Sequence, residues 1–422
     1  MPAFSIPLSG LTASSTELSV VANNLANINT IGYKDQQVQF SDLFYENLGT
    51  DGAGDPIQQG AGAAVSSVES DFTEGNVTST GVDTDVAING NGFFVLQQNG
   101  VQSFTRAGDF EIGTDNYLET TDGQQVLGYQ AVNGVVNTSA GLGPLALGAG
   151  TISPATTTSN VQVTTNLSAT DPVGNSYSTN VTVYDSLGAS HNITFTFTKT
   201  GTNTWTYQAS IPAADLTPPA GTTLANPVVL ATGTLTFDGN GNLINPAASA
   251  GPVAISTSTF GTLADGANTL SFNWDLFDQN GNGLLTQTAS PDSTSSTQQD
   301  GSGSGTLVNF SIGSDGTITG SFSNGKTEVL GQIALASFAD VQGLSHVGNN
   351  DYEPTLASGQ ATIGTPGTGG VGSISGGAVE QSNVDIATEF ANLIIAQRSY
   401  EANARVVTTF DQVTQDTINI KQ

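Results

Sequence analysis

Apolar residues recur with helical spacing at the two ends of this chain and with strand spacing between them. Near the start, Leu11, Leu18, Val21, Leu25 and Ile28 fall at heptad-type intervals, and Gly32 stands where a helix would stop. Near the end, Ile386, Phe390, Leu393, Tyr400 and Val407 run on a similar spacing, joined by Phe410, Val413 and Ile420 after a slight shift of phase. Asn383 or Ser382 is the expected N-cap of this closing helix. Asp385 and Glu389 fall in its early turns, where negative charge meets the helix dipole favourably.

The middle alternates apolar and polar residues in short runs broken by Gly, Asn and Asp. GFFVLQQNGVQSFTRAGDF (92–110), NSYSTNVTVYDSLGASHNITFTFTKTG (175–201) and GTLTFDGNGNLI (233–244) read as β-hairpins. The 51 glycines suit this reading, because glycine reaches the positive φ angles that tight turns require. Two looser stretches, 137–160 and 291–305, are expected to be the crossings into and out of an inserted domain, and a third, 364–377, to separate the last β region from the closing helix. The expected fold is mainly β with α-helical ends, in a nested multi-domain architecture. Residues 1–30 with 383–422 form a coiled-coil-like terminal helical domain and 31–70 a linking arm. Residues 71–147 with 302–382 form a discontinuous first β domain, and 148–301 an inserted outer β domain.

Charge divides the chain in the same way. Of 36 acidic and seven basic residues, 30 acids and only three bases (Arg106, Lys199, Lys326) lie between residues 35 and 381, while both ends are nearly neutral. A net charge of -29 repels nucleic acid and anionic membrane surfaces, so neither is an expected partner. No run of eighteen apolar residues predicts membrane insertion. Without cysteine there is no disulfide framework and no thiolate metal site. The opening MPAFSIPLSG lacks the basic and continuous apolar regions of a cleaved secretory signal, so any export is expected to use another address.

The terminal helices are expected to need neighbours. An isolated helix of some twenty residues is marginal in water, since ordering its backbone costs about 1–2 kcal/mol per residue before hydrogen bonds are credited. Asn23, Asn24 and Asn27 lie on a flank away from the apolar stripe, in the run ANNLANINTIGYK. Side-chain amides both donate and accept, so an uncharged amide face can satisfy adjacent helices of other copies. An ordinary solvated face would carry Glu and Lys instead. The expected self-assembly residues are therefore Leu11, Leu18, Val21, Asn23, Asn24, Leu25, Asn27, Ile28, Ile386, Phe390, Leu393, Tyr400, Val407 and Phe410.

SGLTASSTELSVVANNLANINTIGYK (9–34) closely resembles the N-terminal signature of the bacterial flagellar axial proteins, the family of rod and hook subunits. SNVDIATEFANLIIAQRSYEANARVVTTFDQV (382–413) resembles that family's C-terminal helix, and 85–96 with 104–130 its first β region. VYDSLGASHNITFTFTK (183–199), TLTFDGNGNL (234–243) and 329–352 resemble the inserted block and return strands of the longer members. The resemblance implies a subunit that polymerises into a short, curved, hollow tube acting as a flexible joint between rotary motor and filament. It implies partners too: further copies of the chain, other axial proteins (rod, hook–filament junction, hook cap) and the flagellar export apparatus. The implied place is the extracellular flagellum, reached without a cleaved signal peptide. A distal rod subunit, which the inserted block argues against, and a secreted carbohydrate-binding adhesin are the alternatives.

No chemical site stands out, and an enzyme is not expected; no catalytic, cofactor or metal residues are assigned. Asp185, Ser186 and His191 lie close in sequence but lack the glycines of a nucleophile elbow, and the stretch reads better as strand, turn, strand. DQNGNG (278–283) begins like a calcium loop but has Ala289 at its twelfth position, so a hairpin turn is expected. GNGFF (90–94) reads as a turn into a strand rather than a phosphate cradle. With His191 and His346 the only histidines, a multi-histidine transition-metal cluster is not expected. Trp205 and Trp274 sit in strand-like runs and are expected in the core.

Overall fold

The computed structural model describes residues 5–132, 134–148 and 150–420. The expected domain spans also include residues 1–4, 133, 149 and 421–422, which lie outside the described residues. Two helices, α1 (Ser5–Ala26) and α2 (Ile386–Ile420), bracket a chain otherwise built from β-strands. Two compact units separate. The first holds residues 1–150, 309–320 and 327–422, and the second holds 151–308 and 321–326.

In the first unit, strand Phe93–Gln98 pairs antiparallel with Val101–Thr105 across a turn whose Asn99 and Gly100 both take positive φ. That is the geometry of a two-residue hairpin, and the Asn-Gly dipeptide supplies it without strain. Strands from late in the chain complete this sheet. Thr327–Ile333 pairs with Gln125–Val132, Leu335–Ser337 with Phe93–Gln98, and Asp351–Glu353 with Val101–Thr105. Their alternate side chains close two apolar cores, one around Phe94, Phe110, Leu118 and Ile333, the other around Phe93, Phe104 and Tyr352.

The glycine-rich stretch 364–377 is not the structureless separator the sequence suggests, because Ser373–Gly376 pairs with Val86–Asn89. Side-chain pattern is mute there since the pairing is carried by backbone. A Cβ on Gly372 would lie 2.2 Å from the Asn89 carbonyl oxygen, so glycine is what lets the two backbones meet. Residues 36–70 form an extended arm. Gln36–Asp42 pairs with Ala63–Ser70, and beyond them Glu46–Thr50 pairs with Pro56–Gln59.

The second unit has two five-stranded sheets and its own core. A meander of Ser176–Tyr184, Ser190–Gly201, Thr204–Ile211, Val228–Phe237 and Leu243–Asn245 forms one sheet. In the other, Asn160–Ser168 runs parallel to Ser271–Asp275 and Leu285–Thr288 and antiparallel to Ser293–Gln299. The last strand corrects the reading of 291–305 as a loose crossing. It is rich in Ser, Thr and Gln because it is largely solvent-facing, so it lacks the apolar alternation that marks a strand in sequence. Trp205 and Trp274 are fully buried as expected. Phe195 and Tyr207 pack on Trp274 at ring-centroid distances of 4.7 and 5.1 Å.

The Asp278 loop is a hairpin turn: one carboxylate oxygen accepts the N–H groups of Asn280 and Asn282 at 2.9 and 2.8 Å. Asp238 repeats the arrangement with Asn240 and Asn242. The Asn282 side-chain amide and N–H hold the Asp278 carboxyl, and the Asn242 N–H and side-chain amide hold the Asp238 carboxyl, below the usual carboxylate range.

Candidate functional site

The two terminal helices pack against each other, as their apolar spacing predicts. The seam is made of smaller residues than expected. On α1 the buried positions are Pro7, Ala13, Ser14, Val21 and Asn24, and on α2 they are Glu389 and Ala396. A Cβ on Gly10 would lie 2.9 Å from Asn403 Oδ1, so the helices approach closely through small side chains. Of the expected stripe on α1, Val21 is buried, while Leu11, Leu18, Leu25 and Ile28 are only half-buried. The helix ends at Ala26, earlier than Gly32, and Asn27, Ile28 and Asn29 lie in the turns that follow. Gly32 has φ +70° and donates its N–H to the Glu380 carbonyl at 2.8 Å.

The asparagines divide into two kinds. Asn24 is 1% exposed, and both ends of its amide are used within its own chain. Its Nδ2 donates to the Gln36 carbonyl (2.8 Å) and to Glu389 Oε2 (3.2 Å), and its Oδ1 accepts from the Tyr33 hydroxyl and the Gln36 N–H, each at 3.1 Å. The expectation that Asn24 faces other copies is thereby corrected: this amide pins α1 to the start of the arm and to α2. Asn23 is exposed and donates to the Tyr33 hydroxyl at 3.0 Å, and half-buried Asn27 donates to the Asn23 carbonyl at 2.9 Å. Burial, with Asp35 and Glu389 nearby, pushes the Tyr33 phenol up to about 12.

Beneath this junction lies an ion cluster that sequence reasoning missed. Glu380 is fully buried, with Lys34 Nζ 2.5 Å from Oε1 and Arg106 Nη2 3.0 Å from Oε2. The Gly75 N–H donates to Oε1 at 2.8 Å. Lys34 also donates to the Thr73 carbonyl (2.7 Å), and Arg106 to those of Gly90 (2.8 Å) and Gly92 (2.7 Å). Burial, and then the neighbouring Arg106 charge, lower the Lys34 pKa, against a smaller upward pull from Glu380. Residues far apart in sequence thus meet where both terminal segments enter the β region. The available signal was scarcity: in a chain with seven basic residues, two lie in or beside apolar runs.

The N-cap of α2 is Asp385, whose Oδ1 accepts the Thr388 N–H at 2.8 Å, rather than Asn383 or Ser382. Asn383 is recruited elsewhere, accepting from the Asp35 N–H at 2.7 Å and donating to the Asp71 carbonyl at 2.8 Å. Beyond its first turns α2 is wet on nearly every side. Ile386, Phe390, Tyr400 and Phe410 are 51, 48, 37 and 38% exposed, and Leu393 and Val407 are half-buried. Ile394, Ile395, Val406, Val413, Ile418 and Ile420 are exposed too. Val413 and Ile420 were read as part of the helical spacing but not as self-assembly residues, and Ile394, Ile395, Val406 and Ile418 were not expected at all, although the run LII at 393–395 places apolar groups around the helix rather than on one stripe. The arm adds exposed Phe40, Phe44 and Tyr45. No described helix is long and apolar enough to cross a membrane.

In the second unit Ser186 Oγ accepts the Asn268 N–H at 3.0 Å, whereas His191 Nε2 lies 3.0 Å from Asp185 Oδ2. The serine and the imidazole therefore have different partners.

Four segments match family models: residues 6–34 the flagella basal body rod protein, and 87–168 the flagellar hook protein FlgE/F/G D1 domain. Residues 152–302 match the flagellar basal body protein FlaE D2 domain, and 375–420 the flagellar basal body rod FlgEFG protein C-terminal region. The chain is 36% identical to the flagellar hook protein FlgE of Salmonella typhimurium strain LT2, over 99% of this chain and 100% of that relative. It is 34% identical to that of Escherichia coli K12 (99% and 100% covered) and 32% identical to that of Borreliella burgdorferi (98% of each). Among solved structures it is similar to the Helicobacter pylori flagellar hook protein FlgE2, with a TM-score of 0.48 and 16% identity over 72% of this chain and 100% of that one. With full-length relatives above 30% identity, this chain belongs to the flagellar hook protein FlgE family.

Proposed function

We propose that the chain is a structural subunit of the bacterial flagellar hook, polymerising into a curved hollow tube that transmits motor torque to the filament as a flexible joint. The observation that carries this reading is the exposed apolar girdle of α2, with ten large apolar side chains exposed among its described residues. Burying what remains exposed on each contributes on the order of 1 kcal/mol, and their sum only matches the roughly 4–15 kcal/mol cost of association. A single helix pairing is therefore marginal. A lattice in which each subunit touches several others is stable.

In this proposal the terminal helices, 1–30 with 383–422, line the inner tube, 31–70 is the linking arm, and 71–147 with 302–382 and the inserted 148–301 form outer shells. Bending is a sliding of the polar β surfaces while the helical contacts hold. The self-assembly surface comprises Leu11, Leu18, Asn23, Leu25, Asn27, Ile28, Ile386, Phe390, Leu393, Tyr400, Val407 and Phe410, extended by Ile394 and Ile395, while Val21, like Asn24, is buried within its own chain. Rod, junction and cap proteins meet the two ends of the tube, and the export apparatus delivers the subunit without a cleaved signal. The role is structural rather than enzymatic.

The test substitutes Phe390→Asp together with Ile394→Asp. Both side chains are about half exposed in the single chain (48 and 51%), so the circular dichroism of the subunit should be unchanged. The wild-type protein should give pelletable tubes of uniform diameter by electron microscopy, and the double variant should give none. Tubes that persist in the double variant would refute the proposed surface.

A further inference from the structure

Four elements of the second unit converge on His191. Asp185 follows the strand Ser176–Tyr184, His191 opens the strand Ser190–Gly201, Asp215 closes a short 3-10 turn, and Asp265 lies just past the strand Thr262–Leu263. The imidazole Nε2 is 3.0 Å from Asp185 Oδ2 and 3.8 Å from Asp265 Oδ2, and Nδ1 is 3.2 Å from Asp215 Oδ2. Asp185 is fully buried and His191 is 7% exposed.

Two details distinguish this from a chance gathering of acids. Each carboxylate facing Nε2 spends its other oxygen on its own loop. Asp185 Oδ1 accepts the Leu187 and Ala189 N–H groups at 2.8 and 2.9 Å, and Asp265 Oδ1 accepts the Ala267 N–H at 3.0 Å. Both Oδ2 atoms are thereby held toward the same nitrogen. On the far side of the ring Asp215 occupies the place of the carboxylate that orients a metal-bound histidine through its other nitrogen.

A proton on Nε2 bonds Asp185 Oδ2 at 3.0 Å but not Asp265 Oδ2 at 3.8 Å, whose carboxyl meets that of Asp185 instead of the imidazole. A cation among the three atoms satisfies all of them. With metal–ligand bonds of about 2.0–2.2 Å, the edges of a tetrahedral zinc site are roughly 3.3–3.6 Å. The two observed edges at Nε2, 3.0 and 3.8 Å, bracket that value, and all three candidate ligand atoms lie within 4.8 Å of one another.

We propose that Asp185 Oδ2, His191 Nε2 and Asp265 Oδ2 form a first-row divalent-cation site of the zinc type, with Asp215 orienting the imidazole. One nitrogen and two oxygens suit zinc better than calcium or magnesium, which take all-oxygen shells. The Asp265 side chain is 30% exposed, which leaves a path for entry and room for water as the fourth ligand. The bound ion ties the hairpin between Ser176–Tyr184 and Ser190–Gly201 to the segment that follows Thr262–Leu263, so it acts as a staple within the inserted region.

The test uses the full chain and zinc ion alone. Calorimetric titration should give one saturable zinc per chain, at least tenfold weaker in His191→Gln and Asp265→Asn, with unchanged tryptophan fluorescence showing that the variants fold. The ring nitrogen resonances of the two histidines report directly, because zinc should shift Nε2 of His191 and leave His346 in place. The proposal is overturned if His191→Gln binds zinc as tightly as the wild type. It is equally overturned if both nitrogens of His191 remain protonated at saturating zinc.

Discussion

Replacing Glu380 with glutamine should separate the two units by their stability. The change leaves the Lys34 ammonium and the Arg106 guanidinium, whose side chains are 0 and 3% exposed, without their anion. Removing one partner of a buried ion pair costs about 3–5 kcal/mol. Two features place this case toward the lower end. Lys34 retains the Thr73 carbonyl, Arg106 retains those of Gly90 and Gly92, and the new amide oxygen can still accept the Gly75 N–H. Lys34, already lowered by burial and by Arg106, can also shed its proton once the carboxylate is gone. A cost of about 3 kcal/mol, with a urea slope of about 3 kcal/mol/M, moves the unfolding midpoint by about 1 M. The assay has an internal control, because both tryptophans, Trp205 and Trp274, belong to the second unit. Their fluorescence should report an unchanged transition while the far-ultraviolet dichroism of the first unit moves to lower urea. Equal movement of both signals, or a shift below about 0.3 M, would refute the reasoning.

The opposite pattern is expected for Phe195→Ala, which empties space beside Trp274: a loss of about 3–5 kcal/mol confined to the fluorescence transition. Asn24→Ala strips hydrogen bonds from Tyr33, Gln36 and Glu389 and should cost about 1–3 kcal/mol, seen as faster exchange of the Gln36 amide. Exposed Asn29→Ala should leave that amide unchanged. His346, whose Nε2 lies 3.1 Å from Ser70 Oγ, is lowered below the ordinary histidine value by burial. A depressed folded value means its contribution is present above pH ~6.5 and is lost as pH falls through the folded pKa. A carbon–proton correlation titration should therefore give His346 a midpoint below 6.5, and one at or above that value would contradict the burial argument.

Much of this architecture is legible locally. The hairpin turn at Asn99 and Gly100 and the Asp238 and Asp278 loops depend on residues a few positions apart. The apolar spacing of α1 and α2 identifies both as helices that seek a partner. Local reading failed where backbone did the pairing, as at Ser373–Gly376, and where a strand faces solvent, as at Ser293–Gln299. It failed again at the start of α2, where the polar residues Ser382, Asn383 and Asp385 compete and the winner depends on where the other side chains are needed. Asn383 is claimed by Asp35 and Asp71, which leaves the cap to Asp385.

By itself the sequence determined the alternation of helical ends and a β middle, because helix periodicity, turn chemistry and charge distribution are properties of neighbouring residues. The tertiary structure alone decided that Asn24 turns inward, that Lys34 and Arg106 share Glu380, and that three aspartates surround His191. Each of these brings together groups from separate elements, up to 365 positions apart for Asn24 and Glu389. Their meeting follows from how strands and helices pack to bury apolar surface, and spacing along the chain carries no record of it.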